Sequence, residues 1–257
     1  MINILSFAGS LRGGQSRTAR FSKMVTDRLC AIAASEGVPV NCETITGAEY
    51  RAAFCLGCES CFQKGTCPLD STDDLGELKS KILKSDILLF CSPVYCCSMS
   101  GLTKTVLDRL SYWTHRFELA GKPAAVLVTT SAGYGQETAD TIREAVSAMG
   151  ASIAYAGYAV RHIGTPNLNI EEEIGPEAER IAGKLWDCRR DPAKYIHPRQ
   201  EYQFRYFKKK ALQTKTMCEL LEKGIPCETS VIYERGMFDY ASYADYVRQL
   251  TQKQRGS

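Results

Sequence analysis

The chain has 257 residues, 44% of them apolar, enough to bury one substantial core plus a smaller appended element and too many for disorder. Its formal net charge of +3 does not call for nucleic acid, though it is uneven: residues 189–257 hold fourteen Lys and Arg against eight Asp and Glu, and residues 1–188 hold eighteen against twenty-one. No apolar run approaches the ~20 residues that span a bilayer, and the chain opens on a strand pattern, so the expectation is a cytoplasmic protein with reduced cysteines and no membrane or nucleic-acid partner.

Apolar runs alternate with helical patterns over the first 188 residues. Ile2 to Phe7 predicts a buried strand, and beyond the Gly9 to Gln15 loop Phe21, Met24, Val25, Leu29 and Ile32 stripe a helix. Val38 to Ile45 predicts a second strand, followed by a cysteine loop and a helix with Leu75, Leu78 and Ile82 inward. A third strand, Ile87 to Cys91, turns through Ser92-Pro93-Val94-Tyr95 into a helix carrying Leu102, Val106, Leu110 and Trp113. Ala124 to Thr129 is the fourth strand; Ile142, Ala145, Val146 and Met149 stripe the next helix; Ile153 to Val160 and Ile174 to Trp186 close the series. Five strands alternating with five helices predict a flavodoxin-like doubly wound α/β domain over 1–188 with a parallel sheet covered on both faces.

The run Arg189-Arg190-Asp191-Pro192 breaks the pattern and marks a boundary. Beyond it, Tyr202, Tyr206, Phe207, Ala211, Thr214, Cys218 and Leu221 recur at helical spacing, as do Tyr240, Tyr243, Val247 and Leu250. Residues 189–257 are therefore expected to be a helical C-terminal extension of two helices, whose aromatic stripes point to burial.

Cys55, Cys58, Cys61 and Cys67 follow the spacing C-x2-C-x2-C-x5-C within thirteen residues. Thiolates are soft anionic ligands that repel one another unless a cation sits between them. Zinc usually takes two separated C-x2-C knuckles, whereas a tight run ending in Cys67-Pro68 is closer to a ferredoxin set. An iron–sulfur cluster ranks first, a 4Fe–4S cube before a 2Fe–2S rhomb; zinc and a metal-free loop of reactive thiols stay open.

In open α/β sheets ligands lie beyond the carboxyl ends of the strands, so the loops after strands one, three and four carry the site. Gly9-Ser10-Leu11-Arg12-Gly13-Gly14-Gln15-Ser16-Arg17-Thr18 puts small residues, hydroxyls and a guanidinium at a helix N-terminus, which suits a phosphate monoester. Neither the dinucleotide fingerprint nor the nucleoside-triphosphate loop is present, so FMN fits better; a turn that only caps its helix is the bland alternative. The loop Ser92 to Tyr95 and the loop Thr130 to Gln136 can supply the flat slot and main-chain groups that a flavin ring needs.

Gly9-Ser10-x-Arg12 with Ser16, Ser92-Pro93-Val94-Tyr95, and Ser131-Ala132-Gly133-Tyr134-Gly135 resemble the loops of the NADPH-dependent FMN reductase family. With four cysteines between the second strand and second helix, the chain resembles the iron–sulfur flavoprotein branch of that family over residues 1–188. The resemblance implies that Ser10, Arg12, Ser16 and Thr18 hold the phosphate, that Pro93, Val94, Tyr95, Ser131, Gly133 and Tyr134 hold the ring, and that the protein is a homo-oligomer with the flavin near a subunit boundary. Two features depart from it: Cys96-Cys97 stands where relatives carry an aromatic or small residue, and the basic extension lies outside the family core.

The expected function is a flavin-dependent oxidoreductase with NAD(P)H as donor, FMN as two-electron acceptor and a cluster on Cys55, Cys58, Cys61 and Cys67 for one-electron exit to a small-molecule or protein acceptor. Hydride transfer between stacked rings requires no protein acid or base, so no catalytic residue is assigned, and His162 is given no role. The rivals are a cluster-free reductase of quinones, azo compounds or free flavin, a ferredoxin-linked electron carrier, and a zinc-stabilised interaction module.

Overall fold

The computed structural model describes residues 1–160, 170–225 and 227–256. Its sheet is built from β1 (Ile2–Ala8), β2 (Val40–Thr46), β3 (Ile87–Tyr95), β4 (Ser98–Met99), β5 (Pro123–Thr130) and β6 (Ser152–Val160). The long strands run parallel in the order β2-β1-β3-β5-β6, the flavodoxin-like arrangement. β5 is buried along all of its eight residues, as befits a strand with a partner on each side and helices on both faces. The sixth strand, β4, was not anticipated: it folds back antiparallel on the end of β3, pairing Val94 with Met99 and Tyr95 with Ser98. A two-residue strand carries too short a pattern to be read in sequence.

Strand alternation sorts the core into two layers. Leu5, Phe7, Leu88, Phe90, Val126 and Val128 face α3 (Leu75–Lys84), α4 (Gly101–Arg109) and α6 (Gly135–Ala148), helices that bury Leu78, Ile82, Val106, Ile142 and Val146. Ile4, Ala8, Ile87, Leu89, Ala125 and Leu127 face α1 (Arg17–Ser35) and α7 (Ile170–Arg190), which bury Phe21, Val25, Leu29, Ile181 and Leu185. Each large aliphatic side chain so buried contributes roughly 1.5–3 kcal/mol of transfer free energy. Two short helices, α2 (Ser60–Lys64) and α5 (Trp113–Arg116), flank the first layer.

Beyond α7 the chain forms α8 (Pro198–Leu220), α9 (Cys227–Glu234) and α10 (Tyr243–Gly256), one helix more than expected. The Gly/Pro-containing connection between the two expected helices hides the extra one. Phe204, Ile232, Met237, Tyr243, Tyr246 and Val247 make a third apolar cluster with Phe117, which precedes β5. Tyr243 is fully buried and its hydroxyl donates to the Gly150 carbonyl at 2.6 Å. Gly150 has φ +104°, and a Cβ there would lie 2.7 Å from that hydroxyl, so the position requires glycine. Tyr243→Phe leaves the Gly150 carbonyl with the longer bond from the Gly121 amide at 3.3 Å, and urea unfolding is expected to show a loss of about 0.5–1.5 kcal/mol. Among the described residues no helix is long and apolar enough to cross a membrane.

Candidate functional site

Because the chain moves outward from β1 to β2 and then crosses back to β3, the order reverses between β1 and β3, the switch point at which open α/β sheets form their ligand crevice beyond the carboxyl ends of the strands. The loop after β1 is fixed to the β3–α4 connection by buried hydroxyls. Gly9 donates its amide to the Cys91 carbonyl at 2.8 Å, and its own carbonyl accepts from Ser100 Oγ at 2.5 Å. Ser92 Oγ accepts from the Ser100 amide at 3.0 Å and from Thr103 Oγ1 at 3.1 Å. A Cβ on Gly9 would lie 1.9 Å from Thr103 Oγ1, so the two loops approach this closely only with glycine there.

From Gly13 to Gln15 the loop makes one 3-10 turn, and Ser16 caps α1 by accepting the Ala19 amide at 3.0 Å. Ser10 Oγ accepts from the Arg12 amide at 3.3 Å. Thr18 Oγ1 lies 2.6 Å from Thr129 Oγ1, which ties the first turn of α1 to the end of β5. Of the four residues expected at the phosphate, Ser10, Ser16 and Thr18 are buried and Arg12 is exposed. All four share one turn at the N-terminal end of a nineteen-residue helix, where backbone amides and the helix dipole favour an anion.

The ring residues come from the next two loops. Pro93 is buried and Val94 half-buried at the end of β3, while Tyr95 is half-exposed. Cys96 and Cys97 make the turn into β4 with φ of 48° and 64°. Such a turn normally takes Asn or Gly, and each cysteine costs roughly 1–2 kcal/mol of backbone strain. The turn leaves Tyr95 paired with Ser98 in the hairpin, so the two cysteines shape the rim. After β5, Thr130 Oγ1 donates to the Gly133 carbonyl at 2.9 Å and accepts from the Ala132 amide at 3.2 Å, closing a tight turn. Ser131, Gly133 and Tyr134 are exposed on it, and Tyr134 takes a left-handed φ of 62°. A Cβ built on Gly14 or Gly133 meets nothing within 4 Å, so both loops border open space. The hydroxyl-lined turn, open glycines and flanking tyrosines fit FMN.

The cysteine loop hangs from a buried charge cluster that sequence reading did not single out. Arg109, with no side-chain exposure, donates Nη1 to the Ala53 carbonyl at 3.0 Å and to Asp73 Oδ2 at 2.7 Å, and Nη2 to Asp70 Oδ1 at 2.8 Å. Lys79 Nζ adds a contact to Asp70 at 2.8 Å, so two cations balance two carboxylates. Asp73 also accepts the Ala53 amide at 2.9 Å, and Asp74 accepts the Arg51 amide at 2.9 Å. Burial raises the Asp73 carboxyl, but the hydrogen bonds from Arg109, Ala53 and Leu75 outweigh it and hold it below the ordinary value. The signal available in sequence was Asp70, Asp73 and Asp74, three acids just after Cys67.

Beyond this clamp, residues 51–59 have no regular structure, and Cys61 lies in α2. Gly57, Glu59 and Gly65 are left-handed, which turns the loop sharply around its thiols. Cys55 and Cys58 are exposed, Cys61 and Cys67 half-buried. Burial, then the nearby Cys67 thiol and more weakly Cys55, push the Cys61 thiol up. Among the described residues no three His, Cys, Asp or Glu side chains are gathered to hold a metal ion. The donor chemistry fits one all the same: four soft ligands occupy thirteen residues of a loop tethered at its base. On its far side the Phe62 ring packs tilted against His115 with centroids 4.8 Å apart, His115 likewise against Phe207 of α8 at 4.7 Å, and α9 packs against α2, so the extension supports the cysteine loop. His162 lies outside the described residues.

Residues 2–165, well over half of the chain, match the NADPH-dependent FMN reductase family. The chain belongs to that family. An iron–sulfur flavoprotein of Archaeoglobus fulgidus is 33% identical over 133 residues, 51% of this chain and 56% of that protein, so the match spans little more than half of the relative. An iron–sulfur flavoprotein of Methanocaldococcus jannaschii is 33% identical over 138 residues, 53% of this chain and 67% of that one. Among solved structures, the apo form of an NADH:FMN oxidoreductase superposes with a TM-score of 0.50 at 18% identity, covering 72% of this chain and 88% of that one, a likeness of fold. The family match, residues 2–165, lies within the α/β region.

Proposed function

We propose that this family member is a flavin-dependent oxidoreductase that holds FMN in the crevice, takes its electrons from NAD(P)H and bears an iron–sulfur cluster on Cys55, Cys58, Cys61 and Cys67. The observation that carries the reading is the turn Gly9–Thr18, braced by Ser92, Ser100 and Thr103 and set at the N-terminus of α1 beside two open-sided loops. FMN, when bound, supplies two-electron exchange with nicotinamide and one-electron exchange with an iron–sulfur centre. Ser10, Ser16 and the amides of the first turn of α1 bind the phosphate, with Arg12 closing over it from solvent. Pro93, Val94 and Tyr95 on one loop and Ser131, Gly133 and Tyr134 on the other orient the ring and limit its access to water. No side chain need move a proton, which agrees with a crevice lined by hydroxyls, glycines and tyrosines.

The exposed rims at Tyr95 and Tyr134 support a homo-oligomer in which a second copy covers the crevice. Electrons leave to a small-molecule or protein acceptor, with no membrane or nucleic-acid partner.

Anaerobic purification with iron, sulfide, zinc and flavin analysis tests the cofactors. Wild-type protein is expected to carry FMN and iron, and Cys58→Ala to keep FMN while losing most of its iron; zinc alone, or unchanged iron in the variant, overturns the ligand assignment. Stopped-flow mixing with NADPH is expected to bleach the flavin band, whereas a carrier that never meets nicotinamide leaves it unbleached.

A further inference from the structure

Cys30 and Cys42 belong to neither the crevice nor the cysteine loop. Cys30 sits in the last turns of α1, half-buried, and Cys42 is exposed on the edge strand β2, where it lies beside Ile4 of β1. Their sulfurs are 2.7 Å apart, closer than two unbonded sulfurs rest comfortably though still longer than the ~2.05 Å of a disulfide, and both thiols are free. The approach follows from the α1–β2 connection. Gly37 is left-handed at φ +69°, and the Val38 amide donates to the Ala33 carbonyl at 2.9 Å, so the chain reverses tightly and lays the start of β2 against the end of α1.

We propose that Cys30 and Cys42 are a modification site: a dithiol that exchanges with low-molecular-weight disulfides to form a reversible Cys30–Cys42 bridge pinning α1 to β2. Partial burial and the neighbouring Cys30 sulfur push the Cys42 thiol up to about 12, so the Cys30 thiolate attacks a sulfur of the small disulfide first, forming a mixed disulfide and releasing one small thiolate. The other protein thiolate then attacks the modified cysteine and expels the second. One protein S–S bond forms and one small S–S bond breaks. The pair loses two electrons, the small disulfide gains them, and the two thiol protons end on the two released thiols.

The geometry supports selectivity and reversibility together. The second sulfur already lies within reach of the first, so the ring-closing step costs little chain entropy, and the exposed Cys42 gives small thiols and disulfides access. Among the described residues β2 shares a strand ladder with β1 alone, so a bridge to α1 anchors a strand that lacks a second ladder. The same helix carries the Ser16 cap and the anion-binding turn at its other end, and those residues are not needed for the exchange.

The test uses full-length wild-type protein, first reduced and then incubated natively with oxidised glutathione, alkylated with N-ethylmaleimide, and read by intact mass and peptide mapping. The expected result is a crosslinked peptide pair containing Cys30 and Cys42, restoration of both free thiols by reduced glutathione, and a Tm higher by about 5 °C or more in the bridged form. Cys42→Ser is expected to hold glutathione as a stable mixed disulfide on Cys30. Folded wild-type protein in which Cys30 and Cys42 are separately alkylated or separately glutathionylated, with no crosslinked pair, overturns the proposal. That readout comes from the wild type and stands whether or not the variant folds.

Discussion

Arg109→Ala is expected to destabilise the protein by about 3–5 kcal/mol, because Lys79 still balances Asp70 but the buried Asp73 carboxylate is left without its guanidinium partner. It also removes the hydrogen bond to the Ala53 carbonyl that ties the cysteine loop to α4. Urea unfolding measures the first effect, and faster proteolysis within residues 51–67 of the still-folded variant measures the second. Arg109→Lys keeps the charge but cannot span Asp70, Asp73 and Ala53 at once, so partial rescue of stability without rescue of loop protection is expected. The Asp73 carboxyl is held below its ordinary value in the folded state. Its contribution is therefore complete above the unfolded carboxylate value of about 4 and is lost as pH falls through the lower folded value. The stability gap between wild type and Arg109→Ala should accordingly be largest near neutral pH and shrink in acid, a trend that unfolding curves recorded from pH 7 to pH 3 check directly.

Gly9→Ala is the second large effect. Its Cβ would lie 1.9 Å from Thr103 Oγ1 and 3.1 Å from Ser100 Oγ, inside the hydroxyl network that braces the Gly9–Thr18 turn. Relieving that overlap costs typically 1–3 kcal/mol and moves the turn away from β3, so FMN affinity is expected to fall by about ten- to a hundredfold. Thr103→Ala removes the clashing hydroxyl, and the double variant should recover part of the loss. A double-mutant cycle on FMN dissociation constants isolates that coupling; strictly additive losses would mean that the contact does not set the loop.

Much of this architecture was legible because a parallel sheet writes itself as apolar runs between helical stripes. The residues that brace the site were harder to see. Ser100 and Thr103 look like ordinary helix-capping hydroxyls, and only the fold brings Ser100 to Gly9, 91 residues away, and turns Thr103 back onto Ser92. Arg109 reads as the last residue of an amphipathic helix, and its burial depends on acids that lie far away in sequence but just beyond the cysteines. β4 and α9 escaped because a two-residue strand and an eight-residue helix inside a Gly/Pro connection carry almost no periodicity. Cys96 and Cys97 give no hint of a left-handed turn, since that conformation is usually announced by Asn or Gly. The four cysteines stand out for the opposite reason: their spacing is chemical and needs no tertiary contact to be noticed.

The proposed grip of the turn Gly9–Thr18 on the phosphate of FMN is tested by a pair of fluorescence titrations of flavin-free protein, one with FMN and one with riboflavin, which lacks the phosphate. FMN is expected to bind at least about tenfold more tightly than riboflavin, with Arg12→Ala narrowing the difference. Equal affinity for the two flavins, or an Arg12→Ala variant that holds FMN as firmly as the wild type, would contradict it.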